Sequence, residues 1–398
     1  MVESRLIAIL HLNPYFPYFL YAPYAPYFPY FLIPLPPYPY ICHLFQAMAA
    51  DPSLYLKNLW YLAFHSSFLK KGKLIAKEML GEKIVFGRDS DGAAFALRDN
   101  CAHRGVPLSE GWFEKDTLQC CYHGWQFGTD GVCKNIPAIA PDGKVDFSKI
   151  RIFKYPLKEI SNTIWIYIPD KKLHFNVTPA VPPPDLILDP SKKFLHVETV
   201  SLPANIDHSV IGLIDPAHVT FVHQSWYWRS AKKLKPKEKH FEPTPMGFKM
   251  VRHAPSSNSK GYSVLKGGSS TEITFEIPGN RYEHIRVGEK NEVISITILT
   301  PVNEHTTELH HIFYSSLPAT RWLWWPLKKL GKKFIGQDLD VFIKLSKGLE
   351  SNPTLMLIGE PDAQAKWYYE IKRLWQKAQQ DRTPFVNPVH GQTLHWVT

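Results

Sequence analysis

The chain reads CAHRG at residues 101–105 and CCYHGW at residues 120–125, and these two short stretches decide its fold. They have the combined form C-x-H…C-x-x-H, with sixteen residues between the first histidine and the next cysteine. Thiolate and imidazole side chains are preferred ligands of transition metals, so the pattern predicts one metal centre held between two loops. Gly105 and Gly124 close the two stretches and supply backbone freedom where a chain must bend around a metal.

Two thiolates and two imidazoles suit a [2Fe-2S] cluster of the Rieske type, with Cys101 and Cys120 on one iron and His103 and His123 on the other. A zinc site with the same four ligands is the alternative. The Arg-Gly and Gly-Trp pairs beside the ligands favour the cluster, because they also match the Rieske pattern. Cys121 competes with Cys120, but the C-x-x-H spacing selects Cys120 as the ligand.

The sequence on either side of these loops predicts a small all-β domain over residues 54–170. Short runs rich in β-branched and aromatic residues alternate there with Gly and Asp turns, which is typical of strands. The clearest predicted strands are Ile84–Phe86, Ala94–Arg98 and Ile164–Ile168.

A proline-rich connector at residues 179–190 separates this domain from a second one, predicted over residues 171–398. Alternating apolar residues predict an antiparallel sheet in the second domain, and apolar residues three to four positions apart predict helices. The second domain is therefore expected to be α+β. Its predicted strands are Glu272–Ile277, Val293–Ile298 and Leu309–Tyr314, and its predicted helices are Phe334–Leu349 and Gln364–Gln380.

A second metal-binding pattern, D-x-x-H-x-x-x-x-H, runs from Asp215 to His223. Two histidines and one carboxylate on one face of Fe(II) leave coordination positions open for O2 and water. His218 and His223 can reach one ion if they lie on a helix or at its end. Isolated histidines are usually ordinary hydrogen-bonded residues, but their position downstream of the cluster motif favours the ligand interpretation.

These motifs resemble those of the alpha, or oxygenase, subunit of aromatic ring-hydroxylating and other Rieske-type oxygenases. The resemblance extends over roughly residues 54–380 and is greatest in type to the vanillate demethylase oxygenase and pheophorbide a oxygenase groups. It implies an α+β protein in which an all-β Rieske [2Fe-2S] domain precedes a catalytic domain of the helix-grip, START-like type.

The resemblance also implies residue roles at the second metal site. His218 and His223 would bind mononuclear Fe(II), and Asp338 would supply the third ligand from a later helix. Asp340 is the alternative carboxylate, although two residues further along a helix it would face elsewhere. Asp215 would bridge, through hydrogen bonds, a cluster histidine of a neighbouring subunit and an iron-binding histidine of its own.

By the same resemblance, the chain is expected to be an oxygenase component. It would use O2 and electrons from an NAD(P)H-dependent reductase, with or without a ferredoxin, to hydroxylate, dihydroxylate or demethylate an apolar aromatic or lipophilic substrate. The family implies a head-to-tail homotrimer in which the cluster of one subunit serves the iron of the next. The sequence contains no glycine-rich flavin or nicotinamide fingerprint, so the electrons must come from a separate protein.

Two other functions remain open from the sequence. One is a Rieske electron-transfer protein with a non-catalytic C-terminal domain, in which His218, His223 and Asp338 would not converge. The other is a regulatory protein that has lost its iron.

Composition and charge restrict the partners and the compartment. The 398 residues include 46 Lys and Arg against 36 Asp and Glu, which gives a net charge of +10. This excess suits an acidic protein partner or a membrane surface, and no nucleic-acid-binding motif accompanies it. Four of the five cysteines fall within residues 101–133, which indicates metal binding and a reducing, cytoplasmic compartment rather than a disulfide scaffold.

Three aromatic-rich segments fall outside these motifs. Residues 6–50 contain no Asp, Glu, Lys or Arg and repeat Pro, Tyr and Phe; the prolines disfavour a helix, so we expect residues 1–53 to be an unstructured extension. Met48 would be a natural alternative start, and an interfacial membrane contact is the other interpretation. The tryptophans and lysines at 321–333 suit a membrane interface or a subunit contact. The aromatic run at 226–228 either lines a pocket or packs in the core.

Overall fold

The computed structural model describes residues 54–170, 177–186, 196–223, 234–254 and 268–398. These ranges belong to one compact unit that extends over residues 50–398. The predicted extension at 1–53, the second half of the predicted connector and the aromatic run at 226–228 lie wholly or largely outside the described residues. The division into domains at residues 170 and 171 stays a prediction.

The first half of the described chain is built from ten short antiparallel strands and no α-helix within residues 54–170. They form three sheets with the strand orders β1-β10-β9, β2-β3-β4 and β5-β6-β7-β8. The predicted strands coincide with β3, β4 and β10, so the all-β assignment is confirmed. The strands are β1 (Leu59–His65), β2 (Leu74–Met79), β3 (Glu82–Arg88), β4 (Ala94–Arg98), β5 (Trp112–Glu114), β6 (Thr117–Gln119), β7 (Gln126–Gly128), β8 (Cys133–Asn135), β9 (Leu157–Ile160) and β10 (Thr163–Ile168).

The second half contains an eight-stranded antiparallel sheet in the order β11-β17-β16-β15-β14-β13-β12-β18. Its strands include the three predicted from alternating apolar residues, and the α+β class is confirmed. The strands are β11 (His196–Leu202), β12 (Pro236–Thr244), β13 (Gly247–His253), β14 (Ser269–Glu276), β15 (Asn280–Val287), β16 (Asn291–Asn303), β17 (Thr306–Ser315) and β18 (Gln392–Val397).

The helices flank this sheet: α1 (Ile206–Ile214), α2 (Val219–Val222), α3 (Pro318–Trp322), α4 (Trp324–Leu349) and α5 (Ala363–Asp381). Trp367 on α5 packs edge-to-face against Phe241 and Phe248 of the sheet. This contact buries the apolar face that the spacing of α5 predicts. Helix α4 begins at Trp324, well before the predicted Phe334, because apolar residues at helical spacing continue through the lysine-rich segment at Leu327 and Leu330.

The two halves are joined by direct bonds. The N–H groups of Leu80 and Gly81, in the turn between β2 and β3, donate to the carbonyls of Pro301 and Val302 on β16 at 2.9 and 2.8 Å. Lys77 on β2 forms an ion pair with Glu308 on β17. No helix in the described ranges is both long enough and apolar enough to cross a membrane.

Local sequence fixes where α1 begins and where it ends. The Asn205 side chain accepts a bond from the His208 N–H at 3.0 Å and caps the start of the helix. Pro216 cannot continue a helix, so the chain leaves α1 at Asp215 and turns toward α2. The next helix is only one turn long, so the residues at its two ends stay close together.

Two candidate metal centres

The cysteine and histidine loops close in the same way. In each loop, the cysteine N–H donates to a carbonyl five residues later, and the glycine N–H donates back to the cysteine carbonyl. The bonds are Cys101 to Val106 (2.8 Å), Gly105 to Cys101 (2.9 Å), Cys120 to Trp125 (2.8 Å) and Gly124 to Cys120 (3.0 Å). Both glycines have positive φ, +75° and +69°, as the sequence predicted for turns around a metal.

The loops place the cysteines inside and the histidines outside. Cys101 and Cys120 are buried. Burial is the main cause that raises the pKa of the Cys101 thiol to about 11, and the neighbouring Cys120 thiol also raises this pKa. His103 is exposed and His123 is half-buried, and their ring centroids are 4.6 Å apart. The two thiols adjoin in the core and the two imidazoles meet edge-to-face near the surface, which is the donor set that a Rieske cluster requires.

Aromatic rings hold the outer part of this centre. Trp125 stacks on His103 with ring centroids 4.6 Å apart and an interplanar angle of 7°. The ring centroid of Tyr122 lies 3.8 Å from that of His123. Cys121, which competed with Cys120 in the sequence, is exposed, whereas Cys120 is buried near Cys101.

The second centre brings together His218, His223 and Asp338. Their ligand atoms all lie within 4.8 Å of one another. The two histidines flank the single turn of α2, and the aspartate comes from α4. Nε2 of His223 is 3.2 Å and Nε2 of His218 is 3.9 Å from Oδ1 of Asp338. Asp340 is exposed and does not belong to this group.

Phe334 and Gln337 hold His223, and the sequence did not reveal this role. The ring of Phe334 stacks on His223 with centroids 3.6 Å apart and an angle of 13°. Oε1 of Gln337 lies 3.3 Å from Nδ1 of His223. The spacing of the sequence could have indicated the role of Phe334, because Phe334 precedes Asp338 by one helical turn and therefore lies on the same face of α4.

Asp215 supports the other histidine. One oxygen of its carboxylate accepts the Ala217 N–H at 2.7 Å, which fixes the turn after α1. The other oxygen lies 3.5 Å from Nδ1 of His218. That nitrogen is buried and has no hydrogen-bond partner among the described residues. A small rotation of either side chain would complete a carboxylate–histidine pair of the kind that orients metal ligands.

A large cavity adjoins the second centre. It has a volume of about 1180 Å³ and is lined by Asp215, His218, His223 and Asp338. Pockets for small molecules usually occupy about 300–1,000 Å³, so this one can accept a large substrate. Most of the remaining wall is apolar. It comes partly from helices, chiefly α4, and partly from one face of the eight-stranded sheet, including Phe241, Phe248, Met250, Ile273, Phe275, Ile285, Leu309 and Phe313.

A polar row crosses this apolar wall on the adjacent strands β11, β17, β16 and β15. Burial lowers the pKa of His311 to about 4, with the charge of His196 as the next cause, so the His311 ring is neutral at physiological pH. The row can therefore offer hydrogen bonds to a polar substituent in an apolar molecule. Its contacts are His196–Glu198 (3.3 Å), Ser295–His311 (2.9 Å) and Arg281–Glu283 (3.2 Å).

Comparison with known proteins agrees with this arrangement. Residues 59–156 match the model of the Rieske [2Fe-2S] domain, and this range contains both cysteine and histidine loops. Over 271 residues, which is 68% of the chain, the sequence is 34% identical to the chloroplastic chlorophyllide a oxygenase of Chlamydomonas reinhardtii. The chain belongs to the Rieske non-haem iron oxygenases. This Rieske oxygenase chain is also 31% identical to the oxygenase subunit of 3-chlorobenzoate-3,4-dioxygenase from Comamonas testosteroni, over 169 residues that make up 42% of the present chain.

The chain spans 38% of the length of each of these two relatives. Among solved structures, dicamba monooxygenase bound to dicamba superimposes with a TM-score of 0.64, covering 84% of this Rieske oxygenase chain and 99% of the other, at 19% identity. At that identity the likeness establishes the fold. The fold prediction, an all-β Rieske part followed by an α+β part with a large antiparallel sheet, is thereby confirmed.

Proposed function

We propose that this chain is an oxygenase component that hydroxylates, dihydroxylates or demethylates an apolar substrate at a mononuclear iron. One observation carries the proposal: His218, His223 and Asp338 converge within 4.8 Å beside a large apolar cavity. A Rieske protein that only transfers electrons would need neither the triad nor the cavity. The electron-transfer alternative predicted that these three residues would not converge, so their convergence counts against it.

The proposed ligands are Cys101, His103, Cys120 and His123 for the [2Fe-2S] cluster, and His218, His223 and Asp338 for Fe(II). The observed donor sets fit both groups, because thiol and imidazole pairs suit a Rieske cluster and two imidazoles with one carboxylate suit non-haem Fe(II). When bound, the Fe(II) would supply open coordination positions for activating O2.

The surrounding residues have separate tasks. The stacked Phe334 ring and the Gln337 amide hold the His223 ring in one orientation. The Asp215 carboxylate would orient His218 through Nδ1, which leaves Nε2 directed at Asp338. The apolar wall excludes water from the reacting substrate, and the neutral His311 in the polar row can fix its orientation by hydrogen bonding.

Electrons would arrive from a neighbouring subunit. The imidazole side of the proposed cluster is at the surface, and the Asp215 side chain is itself partly exposed. These two surfaces suit a head-to-tail homotrimer in which Asp215 lies between a cluster histidine of the next subunit and His218. An NAD(P)H-dependent reductase, with or without a ferredoxin, would reduce the cluster, and the net charge of +10 would attract an acidic donor.

We also propose a cluster domain at residues 54–170, a catalytic domain at residues 171–398 and a cytoplasmic location. The substrate would be a large aromatic or lipophilic molecule with at least one polar substituent, since the cavity is mostly apolar but contains one polar row.

Metal analysis of the purified full chain tests the proposal. We expect about three irons and two acid-labile sulfides per chain, with a Rieske-type electron paramagnetic resonance signal after reduction. His218→Ala should retain the sulfide and the signal but lose about one iron. Two irons in both proteins, unchanged by added Fe(II), would leave an electron carrier as the better description, and zinc without sulfide would exclude the cluster.

A further inference from the structure

One helical surface of the molecule exposes unusually large apolar side chains. Trp322 is 88% exposed, Trp325 is 75% exposed and Leu323 is 53% exposed. Scattered single apolar residues are normal on a protein surface, but a contiguous group of this size usually marks a contact site. We name this region, at the end of α3 and the beginning of α4, the 322–333 surface; its exposed members are Trp322, Leu323, Trp325, Pro326, Leu327, Lys329, Leu330, Lys332 and Lys333.

The same segment is strongly basic. Between Pro318 and Gln337 the sequence contains five basic residues and no acidic residue. Lys332 lies 3.5 Å from Glu198, yet its side chain remains 58% exposed. The exposed apolar residues are therefore accompanied by a positive field that an anionic partner would complement.

The combination of exposed tryptophans with lysines favours a membrane over a protein as the partner. Lysine is depleted at protein–protein interfaces, whereas tryptophan and lysine together are typical of helices that lie in the headgroup region of a bilayer. We propose that the 322–333 surface docks this protein on a membrane that contains anionic lipid.

The order of residues along α4 fits the depth of such a contact. A helix rises about 1.5 Å per residue, so when α4 meets the bilayer with its first turn leading, Lys329 and Lys333 lie about 6 and 12 Å farther from the bilayer centre than Trp325. Apolar side chains at the interface reach about 5–10 Å into the boundary between headgroups and acyl chains. Tryptophans at the beginning of the helix would enter the acyl boundary, while the later lysines remain level with the lipid phosphates.

The docking surface is continuous with the cavity. Leu323, Leu327 and Leu330 belong to the exposed surface and also line the cavity. A lipophilic molecule could thus pass from the bilayer to the cavity along an apolar path without crossing water. This delivery role rests on the proposed oxygenase function, whereas docking itself does not.

Vesicle binding tests the inference with the full chain. The probes are vesicles of pure phosphatidylcholine and vesicles that contain 30% phosphatidylserine, about the level that gives a strongly negative surface. Two variants address the surface: Trp322→Ser with Trp325→Ser, and Lys329→Gln with Lys332→Gln and Lys333→Gln. Matched controls change exposed residues elsewhere, Phe68→Ser with Trp112→Ser, and Lys70→Gln with Lys71→Gln and Lys73→Gln.

We expect the parent and both controls to bind the anionic vesicles and to release them in high salt. The lysine variant should bind about 100-fold more weakly, and the tryptophan variant at least about tenfold more weakly. Sulfide content and molecular mass, measured on the same preparations, should be unchanged. Equal binding by variants and controls, no binding by the parent, or a change in oligomer mass in the tryptophan variant would overturn the proposal, the last by showing a subunit contact. None of these outcomes depends on turnover, so the proposed oxygenase function is judged separately by its iron content.

Discussion

Nε2 of His223 lies 3.2 Å from a carboxylate oxygen of Asp338, across the gap between the end of α2 and the middle of α4. This approach joins a histidine motif to a carboxylate from a distant part of the sequence. It also selects between two nearby aspartates, because Asp340 on the same helix is exposed.

The first prediction concerns this selection. Asp338→Ala should lower the iron content from about three to about two atoms per chain, because a triad with one ligand missing holds Fe(II) poorly. Asp340→Ala is the matched control and should keep all three. Iron and sulfide analysis checks both variants, and equal iron in the two would show that Asp338 is not a ligand.

The second prediction separates the adjacent cysteines. Cys120→Ser should abolish acid-labile sulfide and the visible absorption of the cluster, because a buried thiol near Cys101 is lost. Cys121→Ser should leave both unchanged, since Cys121 is exposed. A cluster that survives the first change but not the second would reverse the assignment.

The third prediction concerns the Asp215 carboxylate. Asp215→Asn should weaken Fe(II) binding by about 10- to 100-fold, since a neutral amide orients the His218 ring less strongly. Competition with a chelator measures the affinity, and sulfide content should stay constant. Asp340→Asn serves as the control; if both variants bind Fe(II) like the parent, Asp215 does not orient His218.

The fourth prediction concerns the packing of α1, the helix that leads into the histidine motif, against α4, the helix that carries Asp338. A methyl group on Gly212 in α1 would lie 2.8 Å from the ring of Phe342 in α4. Gly212→Ala should therefore destabilise the protein by about 1–3 kcal/mol through overpacking. Adding Phe342→Leu should restore part of the lost stability, as measured by thermal unfolding. No rescue by the second change would mean that the contact with Phe342 is not the cause.

The fifth prediction concerns pH and the ion pair between the two halves of the chain. Burial raises the pKa of Glu308, but the His310 ring and the Lys77 ammonium outweigh burial and lower the pKa to about 2. A carboxylate with a depressed pKa stabilises the folded state above its unfolded pKa of about 4.3, and that contribution, roughly 3 kcal/mol, is lost as the pH falls toward 2.

Glu308→Gln should consequently lower Tm by the same amount at pH 7 and pH 5, and the difference from the parent should shrink at pH 3. Parent and variant are compared at each pH, so that acid-driven loss of the cofactors affects both. The exposed Glu289→Gln is the control and should show little change. A difference that stays constant from pH 7 to pH 3 would contradict the assigned pKa.

The cluster loops could be predicted almost completely from the sequence. Each loop is a local structure in which the cysteine, the histidine and the glycine with positive φ lie within a few residues of one another. Strands such as β4 and β10 were also predicted, because alternation of side chains is a local property. The approach of Cys101 to Cys120 is tertiary, because the first loop follows β4 and the second lies between β6 and β7, which belong to different sheets.

The second centre could be predicted only in part. The Asp215 to His223 pattern is local, but the sequence left Asp338 and Asp340 as alternative ligands. Residues two positions apart on an α-helix, such as Asp338 and Asp340, are separated by about 200° around the helix axis. The packing of α4 against α2 therefore determines which of the two faces the histidines.

The sequence by itself determined the fold class and the family and predicted the residue types of both donor sets, since these depend on residue types at short, fixed spacings. Only the tertiary structure decided that Phe334 and Gln337 hold His223 and that four adjacent strands present one polar row to an apolar cavity. It also decided that Trp322 and Trp325 remain exposed beside the cavity. The physical reason is that strand register and helix rotation place residues from distant parts of the chain side by side, and neither quantity is encoded in any one local pattern.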